Sequence, residues 1–282
     1  MPTHPADPAT RHYRGCVAYD GSGFYGWQRQ ILDGVELRTV QHELESAANR
    51  VLKPTDRRVV VHGASRTDTG VHAQGQLIRF HAATRIPADR IARAITSRLP
   101  EDVAVTHIEP ADPDFCVFRQ VRDKQYRYRV FTGNRRPLTV RHQVYHCFHE
   151  LDLVRMQEAA RQLVGTHDFA GFSAAGHGRA TTVRTVHACE VQSHRPPTGD
   201  EVHLVVRGDG FLYNMVRIIA GTLVDLGRGQ APPDAVQRTL ASRDRRDAGR
   251  TLTAAGLTLE WIRTADGFRT DRPAQAVEHA SG

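Results

Sequence analysis

The chain has 282 residues, of which 40% are hydrophobic and 24% charged, values typical of a globular protein with room for one large domain or two smaller ones. No apolar run approaches the roughly 18 residues of a membrane-spanning helix, and the polar start lacks the apolar stretch of a secretory signal. We therefore expect a cytoplasmic protein with no membrane partner.

Basic residues outnumber acidic ones, 38 against 31, which gives a formal charge of +7 and a pI near 9.6. This balance favours a polyanionic partner, because cationic side chains that neutralise phosphates release condensed counterions. A second explanation stays open on composition alone. Only Lys53 and Lys124 are lysines and the other 36 basic residues are arginines, a bias that a GC-rich genome also produces.

The four cysteines are widely spaced, and none belongs to a C-x-x-C pair. That spacing argues against a zinc site and is typical of buried thiols in a reducing compartment. We therefore expect no metal site at Cys16, Cys116, Cys147 or Cys189.

Residues 1–11 and 265–282 are polar and rich in Pro, Ala and charge, and we expect both to be disordered tails. The first half of the interior, residues 12–112, contains a helix at 39–52 with Thr39 as its N-cap and one apolar stripe. The other elements predicted in this half are strands at 12–19, 58–62, 76–82 and 102–109 and a helix at 88–99.

The second half, residues 113–264, repeats this order of elements. It predicts strands at 125–132, 183–194, 201–207 and 256–263 and helices at 151–164, 211–226 and 232–241. Two copies of β-α-β-β-α-β indicate an α+β protein of two ferredoxin-like or RRM-like halves. We expect these halves to form a continuous, mainly antiparallel sheet with helices on one side, an open face suited to RNA, and an active site in the cleft between them. A generic α+β protein without duplication is the alternative.

The segment GASRTDTGVHA at residues 63–73 lies between two predicted strands and holds one carboxylate, Asp68. Functional side chains are often placed on loops held by rigid strands, although a loop aspartate is more often a turn or cap residue. Asp68-Thr69-Gly70 also matches the tripeptide of aspartic proteases, whose chemistry needs two facing carboxylates. The sequence has no second such tripeptide, so a protease would require a homodimer, and this hypothesis is disfavoured.

The pattern Arg-Thr-Asp-x-Gly-Val-His-Ala resembles the active-site motif of the tRNA pseudouridine synthase A (TruA) family. Further matches follow in the family's order between residues 13 and 261. They are YDG at 19–21, GWQRQ at 26–30, TVQ at 39–41, KQYRY at 124–128, GTHDF at 165–169, RTV at 184–186, FLYNMVR at 211–217, GTL at 221–223 and AGLTL at 255–259. One such motif alone is weak, whereas the ordered set is specific.

The resemblance implies an isomerase that transfers the glycosidic bond of uridine from N1 to C5 and needs no cofactor. It implies that Asp68 is the catalytic carboxylate, acting at the sugar, at the base or in proton removal, and that Arg217 keeps it ionised. Burying an unpaired arginine in the apolar run MVRII is costly, which agrees with that role, while a surface arginine is the alternative. Tyr126 would stack on the target base, although Tyr126 and Tyr128 share one strand face and both can simply be packed.

The resemblance also implies a substrate, the anticodon stem-loop of tRNA (positions 38–40 in the family), bound across a homodimer. Arg66 would fill or brace the space left by the flipped uridine. Seven basic residues against one acid between 119 and 136, interleaved with two tyrosines, predict an RNA-contact strand, and a solvated strand is the alternative. The predicted RNA-binding residues are Arg29, Arg66, Arg119, Lys124 and Arg127.

One segment departs from the family pattern. Where the family reads F-H-A-R-F-S-A, this chain has FCVFRQV at 115–121, so the arginine and the second phenylalanine are swapped. The change bears on which RNA is bound more than on the chemistry. A non-catalytic RNA-binding or RNA-chaperone protein on the same scaffold is the alternative function.

Overall fold

A computed structural model describes residues 9–54, 57–174 and 181–271. The chain divides into two compact units: unit 1 comprises residues 1–122 and 261–282, and unit 2 comprises residues 123–260. Tails were predicted at residues 1–11 and 265–282, of which residues 1–8 and 272–282 lie outside the described residues. Residues 10 and 11 are not part of a tail, because the first strand begins at Thr10. The halves predicted at 12–112 and 113–264 stay a prediction.

Unit 1 combines two helices with antiparallel strands. Its elements are β1 (Thr10–Tyr19), β2 (Ile31–Leu32), β3 (Val35–Glu36), α1 (Val40–Leu52), β4 (His62–Gly63), β5 (His72–Ala83), α2 (Ala88–Thr96) and β6 (Val103–Pro110). β1 lies between β5 and β6, and β4 pairs with the second half of β5, where His62 lies opposite Arg79 and Gly63 opposite Ile78. β2 and β3 form a separate hairpin.

The predicted N-cap of α1 is confirmed, because the Thr39 hydroxyl accepts a hydrogen bond from the His42 amide. The prediction of a strand at 58–62 is largely wrong, because only His62 lies in a strand. The polar side chains of α1 explain the difference. The Val59 amide donates to Asn49 Oδ1 at 2.9 Å, and the Val61 amide donates to Glu45 Oε1 at 3.1 Å. Helix side chains thus satisfy backbone groups that a neighbouring strand would otherwise pair.

The two faces of the unit 1 sheet differ in chemistry. Directly paired residues share a face, so Tyr13 and Phe80 lie on one side together with Gly15 and Ile78. This apolar side forms the core with α1 and α2, whose Leu44 and Ile91 are fully buried. The opposite side, called here the polar face of unit 1, carries His12, Arg14, Arg79, His81, His107 and Glu109.

Residues 265–271, expected to belong to a tail, instead pack on unit 1. The Thr270 amide donates to the Ile262 carbonyl at 3.1 Å, and the Thr270 hydroxyl donates to the Gly75 carbonyl at 2.8 Å. Phe268 is buried, and the guanidinium carbon of Arg14 lies 4.3 Å from the centre of its ring. The polar composition of this segment predicted disorder, but the buried side chain of Phe268 and the backbone hydrogen bonds hold residues 265–271 in place.

Unit 2 contains the remaining strands and three helices. Its elements are β7 (Val121–Thr132), β8 (Tyr145–Cys147), α3 (Leu153–Arg161), β9 (Gly165–Asp168), β10 (Val183–His194), β11 (Glu201–Gly208), α4 (Met215–Gly227), α5 (Ala235–Ser242) and β12 (Leu257–Thr264). The first two residues of β7 and the last four of β12 belong to unit 1. β7, β11, β10 and β9 are antiparallel neighbours in that order, and β8 runs parallel to β7.

The predicted α+β class with mainly antiparallel strands is confirmed. The helix predicted at 211–226 begins only at Met215, because Asn214 has a left-handed backbone with φ of 59° and interrupts the helical path. β8 and β9 were not predicted. Across the described part of the chain, every helix is too short or too polar to cross a lipid bilayer.

A buried carboxylate, Glu201, organises one end of β11. Its side chain is fully buried and accepts two hydrogen bonds from the Arg129 guanidinium, at 2.8 and 2.9 Å. His203 Nε2 lies 2.8 Å from the same carboxylate. Burial alone would raise the pKa of Glu201, but hydrogen bonds from His203 and Arg129 outweigh it and lower the pKa to about 2.

We expect this carboxylate to make unfolding strongly dependent on acid pH. A folded pKa below the unfolded value contributes stability that is fully present above about pH 4.5 and is lost as the pH falls towards about 2. The loss amounts to roughly 3 kcal/mol in the free energy of unfolding. Urea unfolding between pH 3 and 7 should show a flatter pH dependence for Glu201→Gln than for the wild type. Equal slopes for the two proteins would contradict the assignment.

Candidate active site

The loop that carries Asp68, residues 64–71, is anchored at its first end by backbone hydrogen bonds. The Ala64 amide donates to the Leu77 carbonyl at 2.9 Å. The Ser65 amide donates to Gln76 Oε1 at 3.1 Å, and Gln76 Nε2 donates back to the Ser65 carbonyl. Gln76 is fully buried, so this side chain acts as a fixed bracket between β5 and the Asp68 loop.

Contacts to the segment after β1 hold the middle of the Asp68 loop. The Thr67 carbonyl accepts a hydrogen bond from the Trp27 amide at 3.0 Å, and the Thr67 hydroxyl lies 2.8 Å from the hydroxyl of Tyr19. The Val71 amide donates to the Asp68 carbonyl at 3.1 Å and closes a turn. None of the hydrogen bonds named here uses the Asp68 carboxylate.

Two glycines allow this close approach. A Cβ atom on Gly21 would lie 2.1 Å from the Val71 carbonyl oxygen, and one on Gly26 would lie 2.7 Å from the Thr67 carbonyl oxygen. Gly26 also has φ of 84°, which side chains rarely adopt. Gly21 and Gly26, which belong to the motifs YDG and GWQRQ, are therefore required for packing against the Asp68 loop.

The loop presents two of the predicted site residues. Asp68 is half-buried, whereas Arg66 is exposed, and buried Ser65 and Thr67 flank Arg66 on either side. A carboxylate on a fixed backbone, partly withdrawn from water, has the placement expected of a reacting group. The structure thus brings Asp68 and Arg66 together in unit 1.

Lys124 and Tyr126 lie on one face of β7, in unit 2, because alternate residues of a strand share a face. Tyr126 is buried, and its ring meets that of Phe211 edge to face at 5.4 Å between centroids. Tyr128 is fully buried and donates its hydroxyl proton to the Thr253 carbonyl at 2.7 Å. Burial raises the pKa of Tyr128. Full burial and the hydrogen bond to Thr253 agree with a packing role for this residue.

Arg217 lies in the first turn of α4. Its Nε donates to the Leu252 carbonyl at 2.7 Å, and its Nη1 donates to Asn214 Oδ1 at 2.6 Å. Asn214, the residue that precedes the helix, has a left-handed backbone. The planar group is therefore oriented by two acceptors within unit 2, which suits a fixed positive charge better than a mobile surface arginine.

The other predicted RNA-binding residues differ in how their charge is used. Arg127 points to the face of β7 opposite Tyr126 and forms an ion pair with Glu260 at 2.5 Å. Arg29 is exposed and paired with Glu36 and Glu45. Arg119 is exposed. Contact with RNA stays a prediction for all of these arginines and for Lys124.

Sequence reasoning named Asp68 but not the residues that hold its loop. Thr67 lies in the active-site motif but was given no role of its own, and Gln76 was placed only in a predicted strand. No periodic pattern marks a side chain that hydrogen-bonds to a distant segment. Asn214, the partner of Arg217, was quoted only as an unassigned position in its motif. Within the described ranges, no three His, Cys, Asp or Glu side chains are grouped in a way that could hold a metal ion.

The sequence of the chain matches a known protein family. The profile of a family described as tRNA pseudouridine synthase matches residues 16–118 and 159–263 of the chain. The chain belongs to this family. Asp68 and Arg217 lie inside the matched ranges, whereas Lys124 and Tyr126 lie between them, so the family match bears directly on the first pair only.

Curated relatives agree with the family match over most of the chain. A protein of Acetivibrio thermocellus named tRNA pseudouridine synthase A is 39% identical over 249 residues, covering 88% of this chain and 98% of that one. A protein of the same name from Bacillus subtilis strain 168 is 43% identical over 243 residues, covering 86% of this chain and 95% of that one. The predicted family resemblance is thus confirmed.

Proposed function

We propose that this protein converts uridine to pseudouridine in tRNA and that Asp68 is its catalytic carboxylate. The observation that carries the proposal is the bracketed Asp68 loop, in which Gln76, Thr67 and two close-packed glycines fix the backbone around one half-buried carboxylate. Membership of the tRNA pseudouridine synthase family supports the reaction.

The reaction needs few catalytic groups. The N1–C1′ bond breaks, a C5–C1′ bond forms, the hydrogen leaves C5 as a proton, and N1 gains a proton. The atoms and electrons balance within one nucleoside, so no oxidant, reductant or co-substrate is consumed. A carboxylate can act at C1′ as carboxylates do in glycoside chemistry, or remove the proton from C5. Either role requires Asp68 in its ionised form.

Arg217 and Tyr126 complete the proposed chemistry. Arg217 supplies the positive charge that keeps the carboxylate ionised, and its two hydrogen bonds to Leu252 and Asn214 support a fixed orientation. Tyr126 stacks on the uracil ring, and its contact with Phe211 supports a constrained ring plane. Arg66, exposed on the Asp68 loop, enters the space vacated when the uridine is extruded from its stack.

The proposed substrate is the anticodon stem-loop, and the proposed working form is a cytoplasmic homodimer that binds one tRNA across both subunits. The formal charge of +7 supports a polyanionic substrate. Arg29 and Arg127 are paired with carboxylates, so their charges are already neutralised. The exposed Arg66 and Arg119 are therefore the better candidates for contacts with phosphates.

Mapping of the product tests this proposal. Unmodified tRNA transcripts incubated with the wild type are treated with a carbodiimide that marks pseudouridine and then copied by reverse transcription. We expect new stops in the anticodon stem-loop and none without protein. A tRNA that is bound but acquires no stop would favour the non-catalytic RNA-binding alternative, and stops confined to another arm would overturn the proposed substrate region.

A further inference from the structure

Phe118 is exposed in a segment in which Phe115 and Val117 are buried. Its relative exposure is 65%, whereas Phe115 is 4% and Val117 is 0% exposed. A single exposed apolar side chain needs no explanation by itself. Here the exposed ring lies in FCVFRQV, the segment where the sequence departs from its family's pattern, and three structural features give it a role.

The first feature is its neighbour. The ring of Phe118 meets the ring of His62 at 6.4 Å between centroids with an interplanar angle of 75°. His62 belongs to β4, which runs directly into the Asp68 loop. Burial, together with the charge of Arg79, lowers the pKa of His62, so the imidazole is neutral near pH 7. Phe118 therefore lies beside the strand that leads to the catalytic carboxylate, supported by an uncharged aromatic ring.

The second feature is the rigidity of the segment. Arg79 Nη1 donates to the Phe115 carbonyl, and the amides of Arg119 and Gln120 both donate to the Cys116 carbonyl at 3.1 Å. The Gln120 carbonyl accepts a hydrogen bond from the Ala265 amide at 2.8 Å. The turn is thus pinned on both sides of Phe118, so the ring is presented to solvent at low conformational cost.

The third feature is charge. Arg119 and Arg122 are both exposed, and among the residues that the structure describes neither forms an ion pair. The Arg119 side chain hydrogen-bonds to the neutral side chain of Cys116 and keeps its charge. An exposed aromatic ring with cationic arginines beside it is the combination that binds unpaired nucleotides, since the ring stacks on a base while the cations contact phosphates. One ring is too small for a stable protein interface, which buries several hundred Å² on each partner.

We propose that Phe118 is a stacking platform for an unpaired base of the tRNA close to the target uridine, with Arg119 and Arg122 contacting the adjoining phosphates. This inference rests on the proposed function and adds a positioning residue for the substrate. It assigns the swapped order of Phe118 and Arg119 to substrate selection, because the swap places the ring at position 118, where it is exposed beside His62, and the cation at the next position.

Substitution of Phe118 separates the platform from a structural role. Phe118→Leu keeps an apolar side chain without a π-face, and Phe118→Tyr keeps the π-face. Phe148→Ala is the matched control, because Phe148 is also exposed, at 55%, and also touches a histidine ring, His146 at 4.0 Å. Steady-state kinetics on tRNA should show a roughly 10-fold rise in KM for Phe118→Leu with little change in kcat. Phe118→Tyr and Phe148→Ala should stay near wild type.

A fluorescence binding measurement tests stacking on Phe118 independently of catalysis. Anticodon stem-loop RNAs carry 2-aminopurine at single positions beside the target uridine, and stacking quenches its fluorescence. At one of these positions we expect quenching by the wild type and by Phe118→Tyr, and its loss in Phe118→Leu. Equal quenching by all variants, or equal KM values in an active enzyme, would overturn the inference. A wild type that quenches but forms no pseudouridine would refute the proposed function and leave the platform standing.

Discussion

Asp68→Asn is expected to reduce pseudouridine formation by roughly 10³-fold or more, with little change in folding or tRNA affinity. The asparagine keeps the shape of the side chain but cannot serve as an anionic nucleophile or base. The anchors of the loop should survive, because the contacts of Ala64, Ser65 and Thr67 and the turn to Val71 do not involve the Asp68 carboxylate. Nucleoside analysis of digested tRNA measures the product, and filter binding measures affinity.

Asp33→Asn is the matched control for this substitution. Asp33 is an exposed carboxylate in the β2–β3 turn of the same unit, and its φ of 51° is a conformation that asparagine tolerates well. Full activity in Asp33→Asn together with loss in Asp68→Asn assigns the effect to position 68. If Asp68→Asn retained more than about a tenth of the wild-type rate, its role as the catalytic carboxylate would be refuted.

Gly21→Ala is expected to impair both stability and activity. The added Cβ would lie 2.1 Å from the carbonyl oxygen and 2.5 Å from the carbonyl carbon of Val71, so backbone has to move. Overpacking of this kind costs about 2 to 3 kcal/mol in the free energy of unfolding. Val71 is hydrogen-bonded to the Asp68 carbonyl, so the shift reaches the catalytic turn, and a displacement of about 1 Å can reduce the rate roughly 100-fold.

Gly23→Ala provides the comparison within the same short turn. Its Cβ would lie 2.7 Å from the terminal Nη1 of Arg38 and 3.5 Å from Asp102 Oδ2, so it meets the ends of side chains, which can shift, and no backbone atom. We expect less than about 1 kcal/mol of destabilisation and near-normal kcat for this variant. Urea unfolding and steady-state kinetics of both proteins measure the two effects. Equal behaviour of the two alanine variants would show that the approach of Gly21 to Val71 does not position the loop.

Much of the fold follows from local sequence signals. The apolar stripe and threonine cap of α1 predict its bounds to within one residue, and the strand predicted at 183–194 coincides with β10. Periodicity and capping act over a few residues, so a single sequence reveals them. The strand prediction failed at residues 59–61. The valines there are typical of a strand, but their backbone amides donate hydrogen bonds to side chains of α1 that lie 10 or more residues away in the sequence.

In the candidate site, too, the sequence predicted the features that depend on local motifs and missed those that depend on distant contacts. The carboxylate was found because a motif concentrates it with Arg66 and His72 in eleven residues. The buried Gln76 bracket, the Glu201–Arg129 pair and the exposure of Phe118 depend on contacts between separate segments. The sequence also counted Arg127 and Arg129 among the basic residues of a predicted RNA-contact strand, whereas in the structure Glu260 and Glu201 pair with them on one face of β7.

Release of tritium from tRNA labelled at C5 of uridine tests the central claim most directly, because the hydrogen leaves C5 only when the base is rejoined to the sugar through that atom. The wild type should release tritium in a one-to-one ratio with the pseudouridine recovered from the same tRNA, and Asp68→Asn should release none above background. Absence of release by the wild type, with tRNA bound, would contradict the assignment of this chain as a uridine-isomerising enzyme.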